Sequence, residues 1–191
     1  CVMRFITLYA AEAAASVRMS FADKANFALQ VGGMIVNDVV FLALWALFFA
    51  GFRSVGGWGM ADVALLLGLT MCIVGLAGAL AGGYRDMAGS IVRGELDGLL
   101  TQPAGLIARL LARESIATAW GDLVCGVVVL VLFAQVRWSQ APLLVLAVGA
   151  GATVYVSAAI SFASLAFWAG GARSFARDLT DFTLLFSSYP G

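Results

Sequence analysis

Apolar positions in this chain come in long unbroken runs, and polar positions collect in the gaps between them. Four runs reach the roughly 20 mostly apolar residues that a helix needs to cross a bilayer: 31–50 (VGGMIVNDVVFLALWALFFA), 61–83, 115–136 and 142–169. Barrel strands would alternate apolar and polar side chains, and these runs do not. The pattern therefore predicts an all-α fold, a polytopic bundle with four transmembrane spans, and it groups residues 1–191 as one transmembrane domain. Ahead of the first run, Phe5, Leu8, Tyr9 and Glu12 recur at helical spacing, and Val17, Met19 and Phe21 sit beside Arg18 and Lys24. Residues 1–24 thus read as an amphipathic helix lying along the interface as an elbow, or as a frayed terminus. Beyond the fourth run, GGARSFARDLTDFTLLFSSYPG is polar and then apolar from Phe182, which predicts a short connection and the start of a fifth helix. Tyr189-Pro190-Gly191 is a turn signal.

The cations sort with these gaps. Arg4, Arg18 and Lys24 precede the first run, Arg85, Arg93, Arg109 and Arg113 lie between the second and third, and Arg173 and Arg177 follow the fourth. Arg53 and Arg137 occupy the alternate gaps. Nine against two predicts a cytoplasmic N-terminus, because Lys and Arg accumulate in the loops left inside. The polar segment 84–105 falls on that same side.

Composition agrees with lipid as the solvent. The chain is 62% hydrophobic and 12% charged, where a soluble domain has roughly 45–50% and about 25%. Net charge is zero, which offers no field for a nucleic acid. Histidine is absent, so no Ser-His-Asp or Cys-His arrangement can be built. Cys1, Cys72 and Cys125 are far apart, and no metal-ligand spacing appears. There is no GxxxxGK[ST] loop, and the single lysine is Lys24, so nucleotide hydrolysis would fall to another chain. The opening stretch lacks the apolar centre of a secretory signal. A start at Cys1 and a stop at SSYPG read as a piece of a longer protein, and a processed or engineered terminus would read the same.

Inside the runs, Gly68, Cys72, Gly75, Ala79 and Gly82 follow helical spacing, and Gly78 with Gly82 forms GxxxG. Gly75, Gly78 and Gly82 are the expected helix-packing positions, since small residues let backbones approach in lipid. Thr153, Ser157, Ser161 and Ser164 form a hydroxyl stripe that is either packing glue or one wall of a polar path. Asp38, beside Asn37, is a candidate for the path, because an intramembrane acid is costly and functional by default. It either faces the bundle, paired with an arginine or a hydroxyl, or lies at headgroup level if the span shifts toward Gly51. Asp122 lies within the third run, and Asp62 at the mouth of the second reads as interfacial.

One polar stretch remains, IVRGELDGLLTQP at 91–103. Leu96, Leu99 and Leu100 share a helical face, Arg93 and Asp97 form an i, i+4 pair of opposite charge, and Pro103 ends the helix. It is a short amphipathic helix against the inner surface, or a solvated connector. Gly94 to Pro103 spell G-x-L-D-x-L-L-x-x-P, and this resembles the signature of membrane subunits of ABC-2 type transporters. MSFADKANFAL before the first run and SSYPG are similar to that family in character and position. The resemblance implies a six-span permease, paired with a second copy or a paralogue, whose separate ATPase subunits bind ATP and Mg on the cytoplasmic face. No cofactor is then expected in this chain, which would stop short of its last span. A coupling helix between the second and third spans would seat in the ATPase, which assigns coupling to Gly94, Leu96, Asp97, Leu99, Leu100 and Pro103. The translocation path would draw on Asp38, Ser157 and Ser161. An exporter in the inner membrane of a bacterium is expected, since the outer connections 51–60 and 137–141 are short. Two rivals stand beside it, an ion-gradient-driven carrier and a non-transporting scaffold. Nothing in the spans selects a substrate.

Overall fold

The computed structural model describes residues 2–52, 54, 56–96, 105–134, 136–168 and 172–187, and among them the fold is all-helical, with no strand. An N-terminal helix α1 (Val2–Ser20) is followed by α2 (Lys24–Gly51) and α3 (Met60–Ala81). A 3₁₀ turn (Gly82–Asp86) leads into α4 (Met87–Val92). Then come α5 (Leu106–Ala112), α6 (Ala117–Leu132), α7 (Ala141–Ser164) and α8 (Ala172–Ser187).

Local chemistry sets these boundaries. The Asp23 carboxylate accepts from the Asn26 N–H at 3.0 Å, so α2 begins at Lys24, ahead of its apolar run. Asp62 accepts from the Gly59 N–H at 2.9 Å, which places this acid at the start of α3. The second apolar run extends further than hydropathy marks it: α3, the turn and α4 make a 33-residue stretch, Met60–Val92. The third run is shorter. α6 has 16 residues, roughly 24 Å against a hydrocarbon core of about 30 Å. It joins α5 through a bend of 78°. The break has a cause in the backbone, since the Ile116 N–H leaves its own helix to bond Gly78 O on α3 at 3.0 Å.

Among the described residues, three helices are therefore long and apolar enough to cross a membrane, and four if the bent pair counts as one span. The stretch before Phe182, read from sequence as a connection, is helical from Ala172. The core is the α3–α6 pair, with α2 on one flank and α7 on the other. Its filling is small: Ala64, Met71, Cys125 and Val129 form one cluster, and Ala77, Tyr84, Ala152, Tyr155 and Ala159 another. α1 lies against α5 and α3, tied by Tyr9 Oη donating to Leu80 O at 2.9 Å and by an Arg109–Glu12 ion pair at 2.9 Å.

Candidate coupling and translocation site

At the end of α4 the chain turns on Gly94, whose φ of +71° lies in the left-handed region that glycine enters without steric cost. Arg93, next to it, reaches both Asp86 and Glu95 at 2.6 Å, and Glu95 also accepts from Arg113 at 2.9 Å. These four side chains strap Arg93 and Glu95 to the turn before α4 and to the end of α5. Arg93, then Arg113 and Ser90, hold the Glu95 carboxyl down at about 2, and Glu95, followed by Asp86, raises Arg93 above its ordinary value. Sequence reading paired Arg93 with Asp97, counted Arg113 only among the cations of that gap, and did not mark Asp86 or Glu95. Their spacing fits no single helical period, so the only available signal was the density of opposite charges.

Leu96 is buried, 8% exposed, in a cluster with Met87, Ala88, Leu110, Ala163, Ala166 and Ala176. It therefore points into the bundle, among α4, α5, α7 and α8, rather than outward. Asp97, Leu99, Leu100 and Pro103 lie outside the described residues.

The three packing glycines press closely on the α5–α6 region, Gly75 and Gly82 against its backbone and Gly78 against a side-chain methyl. A Cβ on Gly75 would stand 2.6 Å from Leu123 N and 2.8 Å from Ala119 O. On Gly78 it would meet Ala119 Cβ at 2.6 Å, and on Gly82 Glu114 O at 2.7 Å. From the other side, a Cβ on Gly126 would stand 2.9 Å from both Cys72 N and Gly68 O. Two helices with glycine on both faces approach more closely than any larger side chain permits. Gly83 packs as tightly against Leu110 O and was not singled out from sequence.

Asp38 is 4% exposed and sits about midway along α2, roughly 20 Å from either end. Among the described residues, no hydrogen bond or ion pair from an arginine or a hydroxyl reaches it. Its carboxyl faces Asp122 and Cys125 on α6, with Asn37 beside it, and one of its oxygens has no hydrogen-bond partner among the described residues. Asp122 is equally buried, and Arg85 lies within electrostatic range of it. Two carboxyl groups from different helices thus meet inside the bundle, where they repel unless a proton or a cation stands between them.

Ser157 and Ser161 lie elsewhere. Both are exposed on α7, donating to Thr153 O at 2.7 Å and Ser157 O at 2.9 Å within their own helix. The hydroxyls of the stripe thus bond within their own helix, and among the described residues none bonds to another. Thr153 and Ser157 edge an apolar cleft of about 860 Å³ formed with Tyr9, Leu76, Leu80 and Ile160. The structure does not bring Asp38 together with the serines, because the α3–α6 pair stands between their helices.

Compared with known proteins, residues 35–191 match the family model described as ABC-2 family transporter protein. No curated protein and no solved structure matches the chain.

Proposed function

The chain belongs to the ABC-2 family of transporter proteins, a membrane permease subunit, and we propose that it forms the translocation path of an ATP-driven exporter coupled to a separate ATPase subunit. ATP and Mg bind in that partner. A second copy or a paralogue completes the path, in the inner membrane of a bacterium with the N-terminus cytoplasmic. The bent α5–α6 pair is one crossing in this reading, and α8 opens a fifth span.

The observation that supports the reading is how residues 93–96, which leave α4, are anchored. Leu96 is rooted among four helices, the Asp86–Arg93–Glu95–Arg113 strap fixes Arg93 and Glu95, and Gly94 makes the turn between them. A displacement applied at Asp97, Leu99, Leu100 and Pro103 would reach the bundle through Leu96. Packed cores answer such a push by switching between discrete arrangements. Closure of the ATPase pair is the push.

The test uses the intact transporter in inside-out vesicles, with the native cysteines removed and one cysteine placed at Asp97. Crosslinking to the ATPase subunit, with a yield that nucleotide changes, is the expected result. A cysteine that reacts from the cytoplasmic side yet never captures the ATPase would sink the coupling role. A second reading has its own observation, the buried Asp38–Asp122 pair, which suits a proton-driven carrier. Transport that stops with a protonophore and ignores ATP depletion would select it.

A further inference from the structure

A cavity of about 310 Å³ opens between the Gly82–Asp86 turn, α7 and α8, lined among others by Tyr84, Arg85, Tyr155, Arg177, Thr180 and Asp181. It shares Ala88, Ala163 and Ala176 with the cluster around Leu96, but neither the coupling role nor the translocation path uses its polar lining. Tyr84 is 5% exposed, yet its hydroxyl completes no hydrogen bond among the described residues. It stands close to Arg85 and to the phenol of Tyr155, whose ring it meets edge-on at 5.5 Å and 81°. A buried hydroxyl left without a partner is costly, because its water was given up for nothing. Neither Arg85 nor Arg177 has a carboxylate at ion-pairing distance among the described residues, where Arg93, Arg109 and Arg113 all do. Thr180 has already spent its O–H on Ala176 O at 3.0 Å. The donors still available are therefore two guanidinium groups and a phenol, with Asp181 as the one acid in the lining and Asp122 within electrostatic range of Arg85.

We propose that this cavity is a binding site for a phosphate-type oxyanion, held by Arg85, Arg177 and the Tyr84 hydroxyl. Within the lining the cations outnumber the acid two to one, and both guanidinium groups are exposed to an entering ligand. The donors come from two different elements, the turn and α8, together with a buried phenol. A tetrahedral oxyanion offers oxygens in several directions at once, whereas a carboxylate offers two in one plane. Guanidinium forks match phosphate oxygens in bidentate fashion. The volume lies at the small end of the roughly 300–1,000 Å³ typical of ligand pockets, which suits a headgroup or a small phosphate ester. Basic pockets between membrane helices take lipid headgroups, and the same donors would take a free phosphate.

The experiment uses the intact purified protein in neutral detergent with two probes. Inorganic phosphate is titrated by calorimetry, and retention of phosphatidylglycerol over phosphatidylcholine is read by native mass spectrometry. At least one probe should bind, about tenfold more weakly in Arg177→Gln, as expected for losing a charged hydrogen bond. Tyr84→Phe should weaken it in the same direction, and Arg137→Gln should leave it unchanged. Tyr84→Phe preserves shape, so it keeps the test open if Arg177→Gln fails to fold. Phosphate binding alone assigns a soluble ligand, and phosphatidylglycerol retention without phosphate binding assigns a lipid headgroup. Binding of neither probe, equal binding in wild type and both site variants, or an equal loss in Arg137→Gln would overturn the site.

Discussion

At the scale of single residues, contact with backbone separates the glycines that matter from those that do not. Gly75 faces Leu123 N and Ala119 O, atoms that cannot swing aside, whereas a Cβ on Gly149 would meet nothing within 4 Å. Gly75→Val should lower the thermal midpoint in detergent by several degrees, the order expected from about 1–3 kcal/mol of overpacking. Gly149→Ala should leave it unchanged or slightly raised, since alanine favours helix. Equal midpoints for the two variants would mean that the seam is looser than its distances indicate. Glu95 gives a second residue-scale expectation. Its carboxyl is held at about 2 against an ordinary 4.5, so its contribution is complete above pH 4.5 and fades as pH falls toward 2. Hydrogen exchange over residues 86–96, corrected for intrinsic rates, should lose protection across that window. Glu95→Gln should show the weaker protection already at neutral pH. Sequence could nominate Gly75, Gly78 and Asp38, because small size and a lone intramembrane acid are visible in one dimension. It could not pair Asp38 with Asp122, since that depends on how α2 and α6 are rotated about their axes.

At the scale of elements, hydropathy located the helices because bilayer thickness imposes their length. It could not see a backbone hydrogen bond. The third apolar run looked like one span from 115 to 136, and nothing in its composition announces that the Ile116 N–H bonds Gly78 on another helix. Nor did hydropathy separate α5, seven residues joined to α6 at 78°. If the bent pair makes one crossing, a cysteine at Glu114 and one at Arg137 should react with an impermeant thiol reagent from opposite faces of the membrane. Reaction of both from one face would make α6 a re-entrant hairpin arm and remove a span from the count.

For the whole molecule, the outer surface is as informative as the core. Leu29, Val36, Val40, Leu44 and Leu47 line an exposed stripe of α2, a face built for lipid or for another transmembrane surface. Val40→Arg places a charge near the middle of that stripe, at a cost of roughly 2.5–3.5 kcal/mol on insertion scales. The fraction of membrane-integrated protein should fall severalfold, while Arg137→Gln, at a helix connection, should not change it. Unchanged integration of Val40→Arg would mean that this face looks onto water.

The glycine seam has a mechanical consequence. With backbone pressed to backbone along Gly68, Gly75 and Gly126, α3 and α6 cannot slide past each other without lifting apart, so together they act as a stator. If the chain works as proposed, its stroke would fall to the parts hung on that axle, α2 with its buried acid and α7 with its outward hydroxyls among them. Spectroscopic labels placed across the seam would serve as a fixed ruler, against which the excursions of the flanking helices can be read.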